Sequence, residues 1–222
     1  MDEQRVAGRR LVELARPYLE QGDRDGLARR LAADWSPDCL VLLLGIEDEQ
    51  AVEIAAVGLG LIGNMAACPS VARLLHHRRP SIVEAAEEAL WSIWFLAGGP
   101  IAQAVLSRIA RSVERQETEN AVLLLSDLIR SHSTYAEAYH QRSQVHYLQG
   151  SFDASLRDAE RAFEMNAWHF GALANQAHAL GSLGRFQDAL RTYRAVLRLH
   201  PRMAGIRQAI HHLRQRLEPV GL

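Results

Sequence analysis

The sequence predicts an all-α fold: an α-solenoid, a right-handed superhelix of antiparallel helix pairs ending in a C-terminal capping helix. Three observations carry this expectation. Apolar residues of the first half recur with a step of 31 residues, and those of the second half with a step of 34. Proline, glycine and Asp/Asn breaks separate the recurring stretches. A repeat of such length is one helix-turn-helix unit, which hides its apolar face only by stacking on its neighbours.

In the first half, Val52, Ala55, Leu59 and Ile62 recur as Val83, Ala86, Leu90 and Ile93. Leu40, Leu43 and Leu44 recur as Val71, Leu74 and Leu75. Steps of three and four put each set on one helix face. Gly22-Asp23, Ser36-Pro37, the stretch 45–48, Gly63-Asn64, Pro69 and Pro80 interrupt the pattern. Proline is tolerated in a helix's first turn, where the N–H it lacks has no intrahelical acceptor. Helices are therefore expected near 4–20, 24–34, 37–45, 49–62, 69–77 and 81–96. The stretches "EDEQAVEIAAVGLGLIG" and "RPSIVEAAEEALWSIW" resemble HEAT repeats, in particular the short bacterial HEAT-like type also seen in phycobilisome-lyase-like proteins. The resemblance covers roughly 23–97 and implies a HEAT-like domain over 1–97 with an N-terminal cap helix.

In the second half, take Ala102, Ala136 and Phe170 as first positions. Ala121, Ser155 and Ala189 then align, as do Phe152 with Phe186 and Gly150 with Gly184. Ser143, Ala162 and Ala177 are small where two antiparallel helices cross closely. The glycines supply the positive φ that ends a first helix, and the aromatic two residues later plugs the space between the pair. "AEAYHQRSQVHYLQGSFDASLRDAERAFEMNA" and "FGALANQAHALGSLGRFQDALRTYRAVLRLHP" resemble tetratricopeptide repeats (TPRs). Residues 102–135 resemble a degenerate first copy, with Gln116 in the place of glycine, Thr118 in the place of the aromatic, and a turn over 114–120. The resemblance implies three TPR-like helix pairs over 102–203. A capping helix and tail follow over 204–222, with Ile206, Ala209, Ile210, Leu213 and Leu217 on one face and Arg207, Arg214 and Arg216 elsewhere, as a terminal repeat requires. The junction "LAGGPI" at 96–101 is too short for a free linker, so the halves are expected to pack as one continuous superhelix.

Composition excludes several classes. The chain has 222 residues, 48% apolar and 23% charged, with 25 Lys+Arg against 26 Asp+Glu for a net charge of −1. That is too apolar for disorder and too neutral to favour nucleic acid or a membrane surface as partner. All 25 basic residues are arginine, so no catalytic, Schiff-base or P-loop lysine exists. Residues 1–101 carry 10 Arg against 15 Asp+Glu, and residues 102–222 carry 15 against 11. The asymmetry reflects either solvated helix faces or a field that steers a partner. Two cysteines, Cys39 and Cys68, exclude a disulfide framework and a four-thiolate zinc site; both are expected to be small reduced core residues. The opening "MDEQRVAGRRLVEL" lacks the apolar core of a signal peptide. The apolar run 39–45 is far shorter than the ~20 residues of a membrane span. A cytoplasmic protein is expected.

The chain carries no GxSxG or P-loop motif. "GLGLIGN" at 58–64 spells GxGxxG, but at a helix end without βαβ context, which points to close helix packing. His76-His77 and His211-His212 are adjacent pairs, whose side chains diverge by about 100° on a helix and cannot chelate as an i, i+4 pair does. His140 and His146 are also off-face. The histidines are expected to be exposed, with no metal and no cofactor. Glu47, Asp48, Glu49 and Glu53 cluster at a helix start, where they complement the dipole; Glu84, Glu87 and Glu88 sit on an exposed face. No acid–base pair is formed, so no catalytic residue is assigned and no enzyme is expected. Arg142 and Asp158 fall at the seventh and twenty-third repeat positions, where first and second helices face each other, and an ion pair between them is predicted. The third copy has Gln176 and Thr192 there. Trp91 and Trp94, three apart, either fill the interface between the halves or anchor a partner; Trp168 is expected to pack.

The TPR resemblance further implies a concave groove built from first helices. It places Glu137, His140, Gln141, Gln144 and Tyr147 of the second copy there, with Ala174, Asn175 and His178 of the third, and Arg207 and Gln208 from the end helix. Such side chains suit hydrogen bonding to an extended peptide, and Asn175 can donate and accept to one peptide unit. The lysine-based carboxylate clamp of the family is absent, since His140 and Gln144 stand where its groups would be. The expected function is a non-enzymatic scaffold or adaptor for a protein or peptide. The alternatives are a lyase-like protein that assists a modification, which needs an exposed thiol of lowered pKa, and self-association through the Trp91/Trp94 surface.

Overall fold

The computed structural model describes residues 2–217, the side chain of Asp2 excepted, and among them contains thirteen α-helices, two short 3-10 helices and no strand. The chain forms two compact units, 1–97 and 98–222.

The first unit holds α1 (Asp2–Gln21), α2 (Arg24–Asp34), α3 (Pro37–Leu43), α4 (Glu49–Ile62), α5 (Cys68–Arg73) and α6 (Pro80–Leu96). Asp23, Ser36 and Asp48 start α2, α3 and α4 by accepting backbone N–H groups of the first turn. The expected single helix over 69–77 is instead α5 followed by a 3-10 turn at Leu74–His76. The tighter turn ends the segment just before Pro80, whose ring cannot continue a helix from its N-terminal side. Leu31, Leu40, Leu43, Leu59, Leu75, Leu90 and Ile93 are buried, so the 31-residue pattern marks core. Gly60 shows why the glycine-rich stretch packs: a Cβ there would stand 3.0 Å from the Ala89 backbone of α6. Trp94 is buried and meets Trp91 edge-on at 5.1 Å. Cys68 is buried as expected, but Cys39 is exposed, because α3 turns it outward while Leu40 and Leu43 face the core. Burial pushes the Cys68 thiol up to about 11 despite a hydrogen bond with Trp94.

The second unit holds α7 (Gly99–Glu114), α8 (Thr118–Ser131), α9 (Ala136–Leu148), α10 (Phe152–Met165), α11 (Phe170–Ser182), α12 (Phe186–Leu199) and α13 (Ile206–Leu217). Three helix pairs share one turn. Gly150 has φ 74°, Gly184 has φ 75°, and Gln116 takes φ 63° in the same place. The same two backbone bonds close each turn: Gln116 N–H to Val113 O and Glu117 N–H to Ser112 O, then Gly150 to Tyr147 and Ser151 to His146, then Gly184 to Gly181 and Arg185 to Leu180. Within the second pair, Ser155 Oγ donates to the Ser143 carbonyl at 2.8 Å. The predicted ion pair is present and bidentate: Arg142 Nε to Asp158 Oδ2 at 2.7 Å and Nη2 to Oδ1 at 2.8 Å. Arg142 Nη1 also donates to Ser126 Oγ of α8 at 3.1 Å. Ile206, Ile210 and Leu213 of α13 cover the apolar side of α11 and α12, among them Leu180, Tyr193 and Val196.

Candidate peptide-binding groove

The first helices of the three pairs, α7, α9 and α11, enclose a cavity of about 450 Å3. Gln141, Gln144, Tyr147, Asn175 and His178 line it, so five of the ten residues expected at a binding surface meet in one place. Its apolar wall is Ile109, Ala110 and Val113 of α7 with Val145 and Leu148 of α9. The α7 residues are not among those the TPR resemblance places in the groove, although Ala110 and Val113 lie one 34-residue step before Gln144 and Tyr147. A second cavity of about 440 Å3 adjoins the first, sharing Tyr147 and His178 and continuing to His212, Gln215 and Arg216 of α13.

Polar groups of the groove are held in defined states. Tyr193 Oη lies 2.5 Å from His178 Nδ1. Burial raises the tyrosine and lowers the histidine, so the phenol donates to a neutral imidazole. Ser182 Oγ donates to Tyr147 Oη at 3.1 Å. Asn175 Nδ2 is shielded from solvent behind the groove wall and has no hydrogen-bond partner among the described residues. Arg207 donates to the Pro201 carbonyl at 3.1 Å and lines neither cavity, nor does Gln208; Ala174 is buried.

Glu137 and His140, expected at the groove surface, are buried instead, only 3% and 1% exposed. Histidine exposure is likewise corrected for His169 and His200, which are buried. Burial keeps His140 and His169 uncharged, and their rings pack as flat aromatics 4.4 Å apart; the His200 ring meets Phe170 edge-on at 4.9 Å. Nor do the histidines all avoid carboxylates, as expected from spacing along one helix. Glu137, His140 and His169 bring three potential ligand atoms within 4.8 Å of one another. Hydrogen bonds fix the protons there. His169 Nδ1 caps α11 by accepting from Ala172 N–H, so Nε2 carries the proton and donates to Glu137 Oε2 at 3.0 Å. Gln141 Nε2 donates to the other carboxyl oxygen at 2.6 Å. A ligating imidazole instead gives its second N–H to an acceptor, and His169 faces a donor, so the cluster is a hydrogen-bonded brace behind the groove. Sequence spacing hides it because His169 belongs to the turn between two pairs.

No family model matches the chain. A TPR repeat-containing protein of Rhizobium etli is 23% identical over 124 residues, which are 56% of this chain and 61% of that relative's length. Among solved structures, the Sgt2 TPR domain of Aspergillus fumigatus superposes with a TM-score of 0.52 at 14% identity, over 54% of this chain and 81% of that one. The Arabidopsis OM64 TPR domain gives 0.50 at 19% identity, over 51% and 94%. The first TPR of Spaghetti (RPAP3), bound to the HSP90 peptide SRMEEVD, gives 0.50 at 15%, over 51% and 90%. About half the chain therefore has the TPR-like helical solenoid fold. No single helix among the described residues is long and apolar enough to cross a membrane.

Proposed function

We propose that the protein is a non-enzymatic interaction scaffold whose second unit holds a peptide or helix of a partner protein against α7, α9 and α11, and whose first unit is a HEAT-like support. The observation that carries this reading is the concave wall that Gln141, Gln144, Tyr147, Asn175 and His178 share with apolar residues of α7 and α9. Gln144 is exposed in that wall, and its amide can both donate to and accept from the peptide units that an extended segment offers repeatedly. The TPR domain structure solved with a peptide supports the same use of the fold. Glu137, His140 and His169 stiffen the wall in this reading and touch no ligand. Arg207 is left outside the contact set.

The test is retention of partners from the source lysate on immobilised protein. Asn175→Ala with Gln144→Ala should reduce retention about tenfold, as loss of two hydrogen bonds of roughly 0.5–1.5 kcal/mol each requires, while the helical circular-dichroism signal stays the same. Unchanged retention removes the groove from the function.

A further inference from the structure

We propose that the groove selects a two-part peptide: an aliphatic side chain with an aspartate or glutamate two or three residues away from it. This rests on the groove reading above and adds the chemistry of the occupant.

The two adjoining cavities differ in character. The one between α7, α9 and α11 is walled by Ile109, Val113, Val145 and Leu148, and its remaining groups are uncharged. Leu148 stands 64% exposed at its rim, apolar area that an aliphatic ligand group would cover. A charge placed there would lose water and meet no counter-ion. The other cavity presents Arg216 and His212, with no carboxylate in its lining. Arg216 has no carboxylate partner among the described residues, and its guanidinium lies over the Phe186 ring at 6.0 Å. That contact steadies the planar fork and leaves its N–H groups to a carboxylate, which they match two to two. Tyr147 and His178 belong to both walls, so one segment crossing that pair enters both cavities. Treated as touching spheres, cavities of about 440 and 450 Å3 have centres about 9 Å apart, the reach of two or three extended residues. The excess of 15 Arg over 11 Asp+Glu across residues 102–222 favours an acidic group as well.

The experiment is selection of a displayed random decapeptide library on the full-length protein, on its Arg216→Gln variant and on its Leu148→Asp variant, each checked for native helicity. The expected consensus pairs Leu, Ile or Val with Asp or Glu at the stated spacing. For a synthetic consensus peptide, replacing the acid by its amide should weaken binding about tenfold on the wild type and less than twofold on Arg216→Gln. Leu148→Asp should remove the aliphatic preference. A consensus that lacks either part but is lost in Leu148→Asp overturns this inference and leaves the groove reading standing. Enrichment indifferent to both substitutions, or none at all, overturns both.

Discussion

Gln116 occupies left-handed backbone that glycine fills in the two later turns. A side chain there crowds its own carbonyl, and the recurring pair of closing hydrogen bonds holds it in place. Gln116→Gly should therefore stabilise the protein by about 0.5–1 kcal/mol, seen as a higher urea midpoint. The buried histidines act in the opposite sense as pH falls. Burial holds His140 and His169 down to about 3, whereas the unfolded chain protonates each near 6.5. Between those values the unfolded state binds more protons, so stability falls below about pH 6.5 by up to about 1.4 kcal/mol per pH unit per histidine. Glu137 is raised by the same burial; it takes its proton earlier in the folded state and offsets part of the loss at the acid end. Urea midpoints at pH 7.5 and 5.5 measure the drop. His169→Asn, which keeps an acceptor for the Ala172 N–H, should make it shallower.

At the scale of elements, α13 is a lid on an apolar stack. Ile210 is 8% exposed and Leu213 9%, against the core of α11 and α12. Ile210→Asp should cost about 3 kcal/mol or more, because it removes a buried aliphatic chain and buries a carboxylate without a partner. Thermal melting of the full-length variant checks the loss. The element boundaries were legible wherever a break residue caps a helix: α2 and α4 run over the spans expected for them, started by Asp23 and Asp48. They were less legible where a helix tightens without a breaker, as at Leu74–His76. The groove followed the same logic. Gln141 and Asn175 are one repeat step apart, as are Gln144 and His178, so the period alone puts them on one wall. The period says nothing of residues in turns, so the meeting of His169 with Glu137 and His140 was invisible. Cys39 shows the remaining weakness: an apolar neighbourhood in sequence does not say which side of a short helix faces inward.

At the scale of the molecule, the chain forms two compact helical units. In the second unit each pair of helices touches mainly its neighbours, so stability is shared along a line rather than around one centre. A line of that kind is prone to peel from its ends, and the N-terminal pair, α7 and α8, is the copy furthest from the repeat pattern. Arg142 bears on this directly, since its guanidinium joins Ser126 of α8 to Asp158 of α10 through α9. One side chain thus fastens the irregular pair to the regular ones. Without that rivet the irregular pair loses a hydrogen bond worth roughly 0.5–1.5 kcal/mol of its hold on the regular ones, and the α7 wall opens at a lower cost.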